Sequence, residues 1–387
     1  MKTCRFQAYF AGAVVAAGAF LWGGCESGAP VRSEKAGAVP SAARRESSSS
    51  QAIPTYEGFA RGEWSVEALD VPAEKMLSAA RSRSGDPQFV WGAAELTLAS
   101  RELAKSQRDE ALGLLEGLAD HHPESEAYVV RAVSHALRWP TVYAERAKKL
   151  IRTHNVQENA LADYALAACD LAQNKDGEAR AKLIAAAAKE RFNAYELEAL
   201  RASVRTLEGS GYSPFSARMV AFFRRIPAHA VWMSAMSRYY DDKVRRGKGE
   251  KDSAEMKGLF GALAAMGMKA KGDAETLDTE LAAIQVAKRA LLRKTEAAGM
   301  QGDAVAVALA QKEVDEIDTR RELLNEYLGR RNASFRPGTP QWKQENEWVG
   351  FFDSVLAKGE AEAIRTDRMI EGPSPLGRMR MPVQPEK

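Results

Sequence analysis

From about Pro72 onward, apolar residues recur at helical spacing, broken by Gly, Pro, Asp and Asn. Runs of Val, Ile and Thr bounded by turn residues, the mark of strands, are nearly missing. Such a chain buries its apolar side by packing helix on helix, so the expected class is all-α. Ala-rich stretches with many Glu, Lys, Arg and Leu, all good helix formers, agree. At 387 residues and 45% apolar, the chain can bury a sizeable core in one large or two medium domains. Its 55 basic and 52 acidic residues nearly balance, which argues against a dedicated nucleic-acid binder.

"DPQFVWGAAELTLASRELAKSQ" opens with Asp86 as N-cap and Pro87 at the first helical position. "RDEALGLLEGLADHHPES" follows after a short polar break, and Pro123 closes it. "LTLASRELAKSQRDEALGLLEGLADHHPE" aligns without a gap on "YALAACDLAQNKDGEARAKLIAAAAKERF". Ala99 falls on Ala167, Leu103 on Leu171, Ala111 on Ala179 and Leu115 on Leu183, always 68 residues apart. That is two steps of about 34, one helix pair per step. The pattern resembles tetratricopeptide (TPR) repeats through Leu98-Ala99, Ala111 and Pro123, echoed by Leu166-Ala167 and Ala179. Two other units fit less well. One, about 126–154, is out of phase, with Ala132 and Ala144 or Ala147 and with Trp139-Pro140 in its turn. The other, about 194–227, needs an insertion at "EGSGYSPFS". The resemblance implies a TPR-like right-handed stack of antiparallel helix pairs over 56–242. Its concave face would bind protein or peptide and would be lined by helices carrying Leu96, Ser100, Tyr164, Ala168 and Leu171. Two alternatives stay open: unrelated antiparallel helices with an Ala-rich core, and a concave face covered by the protein's own C-terminal helix.

The start reads as an export leader. Lys2 and Arg5 precede "FQAYFAGAVVAAGAFLWGG", an uncharged run. Gly23-Gly24-Cys25 resembles the lipobox of bacterial lipoproteins, with Trp22 where the usual pattern has Leu. The resemblance implies a signal peptide over 1–24 and a lipid on Cys25. Glu26 in place of aspartate implies the outer membrane, facing the periplasm. An uncleaved anchor and an ordinary secreted protein are the alternatives. Residues 25–55, rich in Ser, Ala, Gly and Pro, cannot bury enough surface to order themselves and read as a disordered tether.

Beyond Pro227, "KVRRGKGEKDS" (243–253) is a basic loop, either simply solvated or a patch for anionic polymer. In the region 254–370 a helical hairpin follows over 273–330. Leu277, Leu281, Ile284, Lys288 and Leu291 face Val307, Ala310, Val314, Ile317, Arg321 and Leu324 across "EAAGMQGD". A last helix, capped by Thr339 and begun by Pro340, presents Trp342, Val349, Phe352, Val355 and Leu356 on one side. Residues 371–387 read as a disordered tail.

The sequence offers no catalytic constellation. HExxH, CxxC, GxSxG and a Gly-rich phosphate loop are missing, and no cofactor or metal is expected. Cys169 reads as a small buried hydrophobe. The carboxylates read as solvated ion pairs on polar helix faces. The expected function is that of a membrane-anchored, non-enzymatic helical-repeat protein binding protein or peptide partners in the bacterial envelope. A helical cell-wall hydrolase, needing a Glu of raised pKa in a cleft, and a spacer between membrane and cell wall are the alternatives.

Overall fold

The computed structural model describes residues 53–64, 69–154, 156, 158–247, 254–335 and 342–366. Among these every regular element is an α-helix. Two short helices lead in, α1 (Tyr56–Ala60) and α2 (Ala73–Ser82). Three pairs follow: α3 (Pro87–Leu98) with α4 (Lys105–His121), α5 (Glu126–Ala136) with α6 (Pro140–Thr153), and α7 (Ala160–Ala172) with α8 (Asp176–Ala187). Each helix of the series packs on the next, and α5 also touches α7. The local signals act as expected. The Asp86 carboxylate accepts from the Phe89 N–H at 3.1 Å, and Asn159 caps α7 through the Leu161 N–H at 3.1 Å.

The pairing does not simply continue. Helix α9 (Glu196–Gly209) folds back along α3, and α10 (Pro214–Arg224) packs beside it. Helix α11 (Ala228–Arg246) lies against α5 and α7. Close crossing needs a missing side chain. A Cβ on Gly92 of α3 would stand 2.1 Å from the Ala202 carbonyl oxygen of α9. The second layer then passes to α12 (Ala254–Asp273), which packs on α8, and to the expected hairpin of α13 (Leu277–Met300) and α14 (Ala304–Ser334). Helix α15 (Glu345–Lys358) covers α10, and α16 (Glu360–Thr366) rests on α15 and α14. One buried apolar cluster runs from Phe59 to Ile364.

Several boundaries differ from the sequence expectation. The first break falls at 99–104, inside the stretch read as one helix, so Ala99 is the C-cap of α3 and Leu103 lies in the irregular connection to α4. Helix α12 was not singled out by spacing. It pairs closely with α13 because Gly267 permits the approach, a Cβ there standing 2.4 Å from the Ala287 nitrogen. The last long helix starts at Glu345, with Gln344 as N-cap and Glu347 closing a capping box. Trp342 therefore precedes the helix, and Thr339-Pro340 lie outside the described residues. Along the hairpin seam, Leu277, Leu281, Ile284, Leu291, Ala310, Val314, Ile317 and Leu324 are buried. Asp318 answers the seam's basic residues, accepting from Lys288 at 2.5 Å and meeting Arg321 at 3.3 Å.

Candidate functional site: the covered inner face and the exposed hairpin

The five residues expected on the helices lining a concave face are all inside. Leu96 and Leu171 are buried, Tyr164 and Ala168 fully so, and Ser100 is 9% exposed. Helices α3, α5 and α7 have their inner side occupied by α9 and α11 rather than by the C-terminal helix. Nearly every residue from Phe89 to Leu98 and from Ala127 to Ala136 is buried, since these helices are covered on both sides.

Between the layers sits a polar centre. Arg131 of α5 makes a two-pronged pair with Glu95 of α3: Nε donates to Oε1 and Nη2 to Oε2, both at 2.8 Å. His135 Nε2 meets Glu95 Oε2 at 2.8 Å, and the Trp91 indole donates to Oε1 at 3.2 Å. Burial pushes the Glu95 carboxyl up, but Arg131 and His135 outweigh it and hold the group well below the usual carboxylate range. Burial lowers the His135 pKa against the opposing pull of Glu95, and its Nδ1 has no hydrogen-bond partner.

One helical layer further in, Glu196 at the start of α9 accepts from the Thr279 hydroxyl at 2.8 Å. Its Oε2 has no hydrogen-bond partner, and burial raises its pKa. His229 Nδ1 lies 3.9 Å from Glu196 Oε1, and burial pushes this imidazole down to about 3. Beyond it, Glu360 and Asp278 hold Arg331 at 2.8 and 3.2 Å, and Arg225 at the same two distances. This network joins α10, α13, α14 and α16.

Glu95, Arg131, Glu196, Ser203, Arg224 and Arg225 contribute to the lining of a cavity of about 30 Å³. That volume holds a water or two. It is an order of magnitude below the ~300–1,000 Å³ of a small-molecule pocket. In this conformation the centre can hold water and fix the two layers in register.

The reading of the carboxylates as solvated is therefore corrected for part of the set. Glu95, Asp170, Glu280 and Glu360 are buried. Asp170 accepts from Lys148 at 2.8 Å and also pairs with Lys182. The signal was present as single charges in apolar helical windows: Glu95 in "WGAAELTLA", Arg131 in "YVVRAVSHA" and Asp170 in "LAACDLA". Beside Asp170, Cys169 is buried as expected, its thiol pushed up to about 12.

The opposite situation holds at the hairpin's turn. Residues 297–311 carry a single charge, Asp303, whose carboxylate caps α14 by accepting from the Ala306 N–H at 3.0 Å. Met300 is 54% exposed, Val305 72% and Leu309 60%. One turn on, Glu313, Asp315 and Glu316 are exposed. Cys25 lies outside the described residues, as does the basic loop from 248 to 253. Among the described residues no helix is long and apolar enough to cross a membrane.

Comparison with protein-family models, with curated proteins and with solved structures finds no match to this chain.

Proposed function

We propose that the protein is a non-enzymatic helical-repeat scaffold of the bacterial envelope. Its first three helix pairs are TPR-like, a lipid on Cys25 holds it at the outer membrane facing the periplasm, and it binds protein or peptide partners. The observation carrying the binding role is the uncovered apolar turn of α13 and α14, with Met300, Val305 and Leu309 facing outward. Large contiguous patches of exposed apolar side chains mark interaction sites. The inner face is taken up by α9 and α11, so the partner surface shifts to this hairpin.

Two measurements test the two halves. Labelling with a palmitate analogue in a Gram-negative host is expected to mark the wild type and not Cys25→Ser; equal labelling, or none in either, removes the lipid anchor. A photocrosslinker at Leu309 is expected to give a discrete adduct that one at Ala168 does not, and that Val305→Glu abolishes. Adducts at Ala168 alone would return the binding role to the inner face. The hydrolase alternative draws on Glu196 and its unpartnered Oε2. It requires an opening of the ~30 Å³ cavity, and Glu196→Gln abolishing a cell-wall cleavage would establish it.

A further inference from the structure

Three helices bring their ends to the hairpin's turn. Ser237 of α11 accepts from Arg289 of α13 at 3.1 Å, and four residues on in both helices Asp241 accepts from Arg293 at 2.5 Å. Partners that advance together mean that α11 and α13 run parallel. Arg245 and Arg246 therefore come level with Ala297 and Ala298, within one helical turn of Met300. Helix α12 reaches the same end from the other direction. Three residues join it to α13, so the two run antiparallel, and Gly267 crosses α13 at Ala287. Lys257, ten residues before Gly267, stands near the end of α13.

This end is apolar at its tip and basic around it. Met300, the last residue of α13, and Val305, in the first turn of α14, are both more than half exposed. Around them Arg245, Arg246 and Lys257 are exposed and Lys294 is partly so. Among the described residues Lys257 and Lys294 make no ion pair. The acids at this end are already engaged. Asp241 holds Arg293 and Arg245, Asp242 holds Arg246, Glu296 pairs with Arg293, and Asp176 holds Lys243. Asp303 caps α14. The acidic turn of α14 is set back. Glu313 lies eight residues behind Val305, about 12 Å along the helix, and Glu316 is paired with Lys312. The charge left over at the tip is positive.

The four cations come from three different helices and ring two apolar side chains. A flat, negatively charged surface can meet all of them at once. Apolar side chains flanked by Lys and Arg are how peripheral proteins lie on anionic membranes. We propose that this end rests on an anionic phospholipid surface. Met300 and Val305 enter the boundary between headgroups and acyl chains, and Arg245, Arg246, Lys257 and Lys294 meet the lipid phosphates. Leu309, one turn behind Val305, is left to a protein partner. The contact rests neither on a lipid at Cys25 nor on that partner.

The test places an environment-sensitive fluorophore at Met300→Cys in a full chain with Cys4→Ser and Cys25→Ser, Cys169 being buried. A second chain carries it at Asn325→Cys, exposed and about 30 Å from Val305 along α14. With phosphatidylglycerol vesicles the emission at 300 is expected to shift to the blue and that at 325 to stay. Phosphatidylcholine vesicles are expected to shift neither. Lys257→Glu/Lys294→Glu, which breaks no ion pair, is expected to weaken the apparent lipid affinity about ten-fold or more. Added salt at about 0.5 M is expected to weaken it likewise. No shift at 300 with either lipid, equal shifts with the two lipids, or equal shifts at 300 and 325 overturn the proposal. So does a shift at 300 without lipid that grows with protein concentration, which would assign the tip to a second copy. A crosslinked adduct at Leu309 with no lipid shift at 300 would keep the partner reading and remove this one.

Discussion

Single side chains set the layer spacing, and two of them make sharp predictions. Glu95 and Arg131 are each other's main compensation inside the core. Removing one leaves a buried charge alone, which costs about 3–5 kcal/mol. Glu95→Ala is thus expected to lower the unfolding free energy in urea by about that much. The pair Glu95→Leu/Arg131→Met removes both charges and is expected to recover most of the loss; a double variant as weak as the single one would show the ion pair is not the cause. Gly92 acts by absence. Gly92→Ala places a methyl against the Ala202 carbonyl, and forcing α3 and α9 apart is expected to cost about 1–3 kcal/mol despite alanine's better helix propensity. A stabilised Gly92→Ala protein would mean the helices have slack to move.

At the scale of elements, the seam between α9 and the turn joining α12 to α13 is the unusual one. Tyr195, the N-cap of α9, sits at φ 56°, a left-handed conformation that costs a non-glycine residue about 1–3 kcal/mol. Two acids hold the strand of chain around it. Asp273 accepts from the Ala194 N–H at 2.9 Å and Glu275 from the Leu197 N–H at 2.8 Å. Burial first, and then the neighbouring Glu196 and Glu198, pushes Asp273 up to about 8 and Glu275 up to about 7, with Arg201 opposing at Glu275. Unfolded carboxyls lose their protons near pH 4, so the folded state holds more protons across neutrality. Stability from this seam is fully present in acid and lost as pH rises through about 7 to 8. Below pH 6.5 the lowered pKa values of His135 and His229 act in the opposite sense, so the clean window is pH 7 to 8.5. Melting temperature is expected to fall across that window, and the fall is expected to flatten in Asp273→Asn/Glu275→Gln. An equal slope in the variant would place the titration elsewhere. None of this was legible in the sequence, because the seam joins residues nearly 80 apart through burial that no local pattern encodes. What local pattern does encode came through: the Asp86 cap, the hairpin seam, and the burial shared by the aligned residues Ala111 and Ala179, Leu115 and Leu183. The first helices of the repeat did not, since Ala99 closes α3 while Ala167 lies inside α7. Whether the inner face is open or covered was not legible for a related reason. The spacing that makes α3, α5 and α7 apolar inside is the same whether a partner or the chain's own α9 and α11 fills it.

For the whole molecule the question is whether the helix pairs and the C-terminal helices are separable. Residues 56–242 and 254–370 read as two units along the sequence, yet the buried cluster runs through both. Arg225 of the first part is held by Asp278 and Glu360 of the second, and α9 is capped by Asp273 and Glu275. Cutting at the loop would leave Arg225 without these two carboxylates, and would bare the faces of α8, α10 and α11 that α12, α15 and α13 cover. The full chain is therefore expected to unfold in one transition. The test uses two tryptophans, Trp91 in α3 and Trp348 in α15, both buried. In two variants that keep only Trp91 or only Trp348, every other tryptophan replaced by Phe, the fluorescence and far-ultraviolet midpoints in urea are expected to coincide, as two-state behaviour requires. A chain ending at Gly247 is expected to lose the cooperative transition. Separate midpoints for the two probes, or a cooperative fold in the shortened chain, would make the repeat layer an independent domain and the buried charge network a docking interface rather than part of one core.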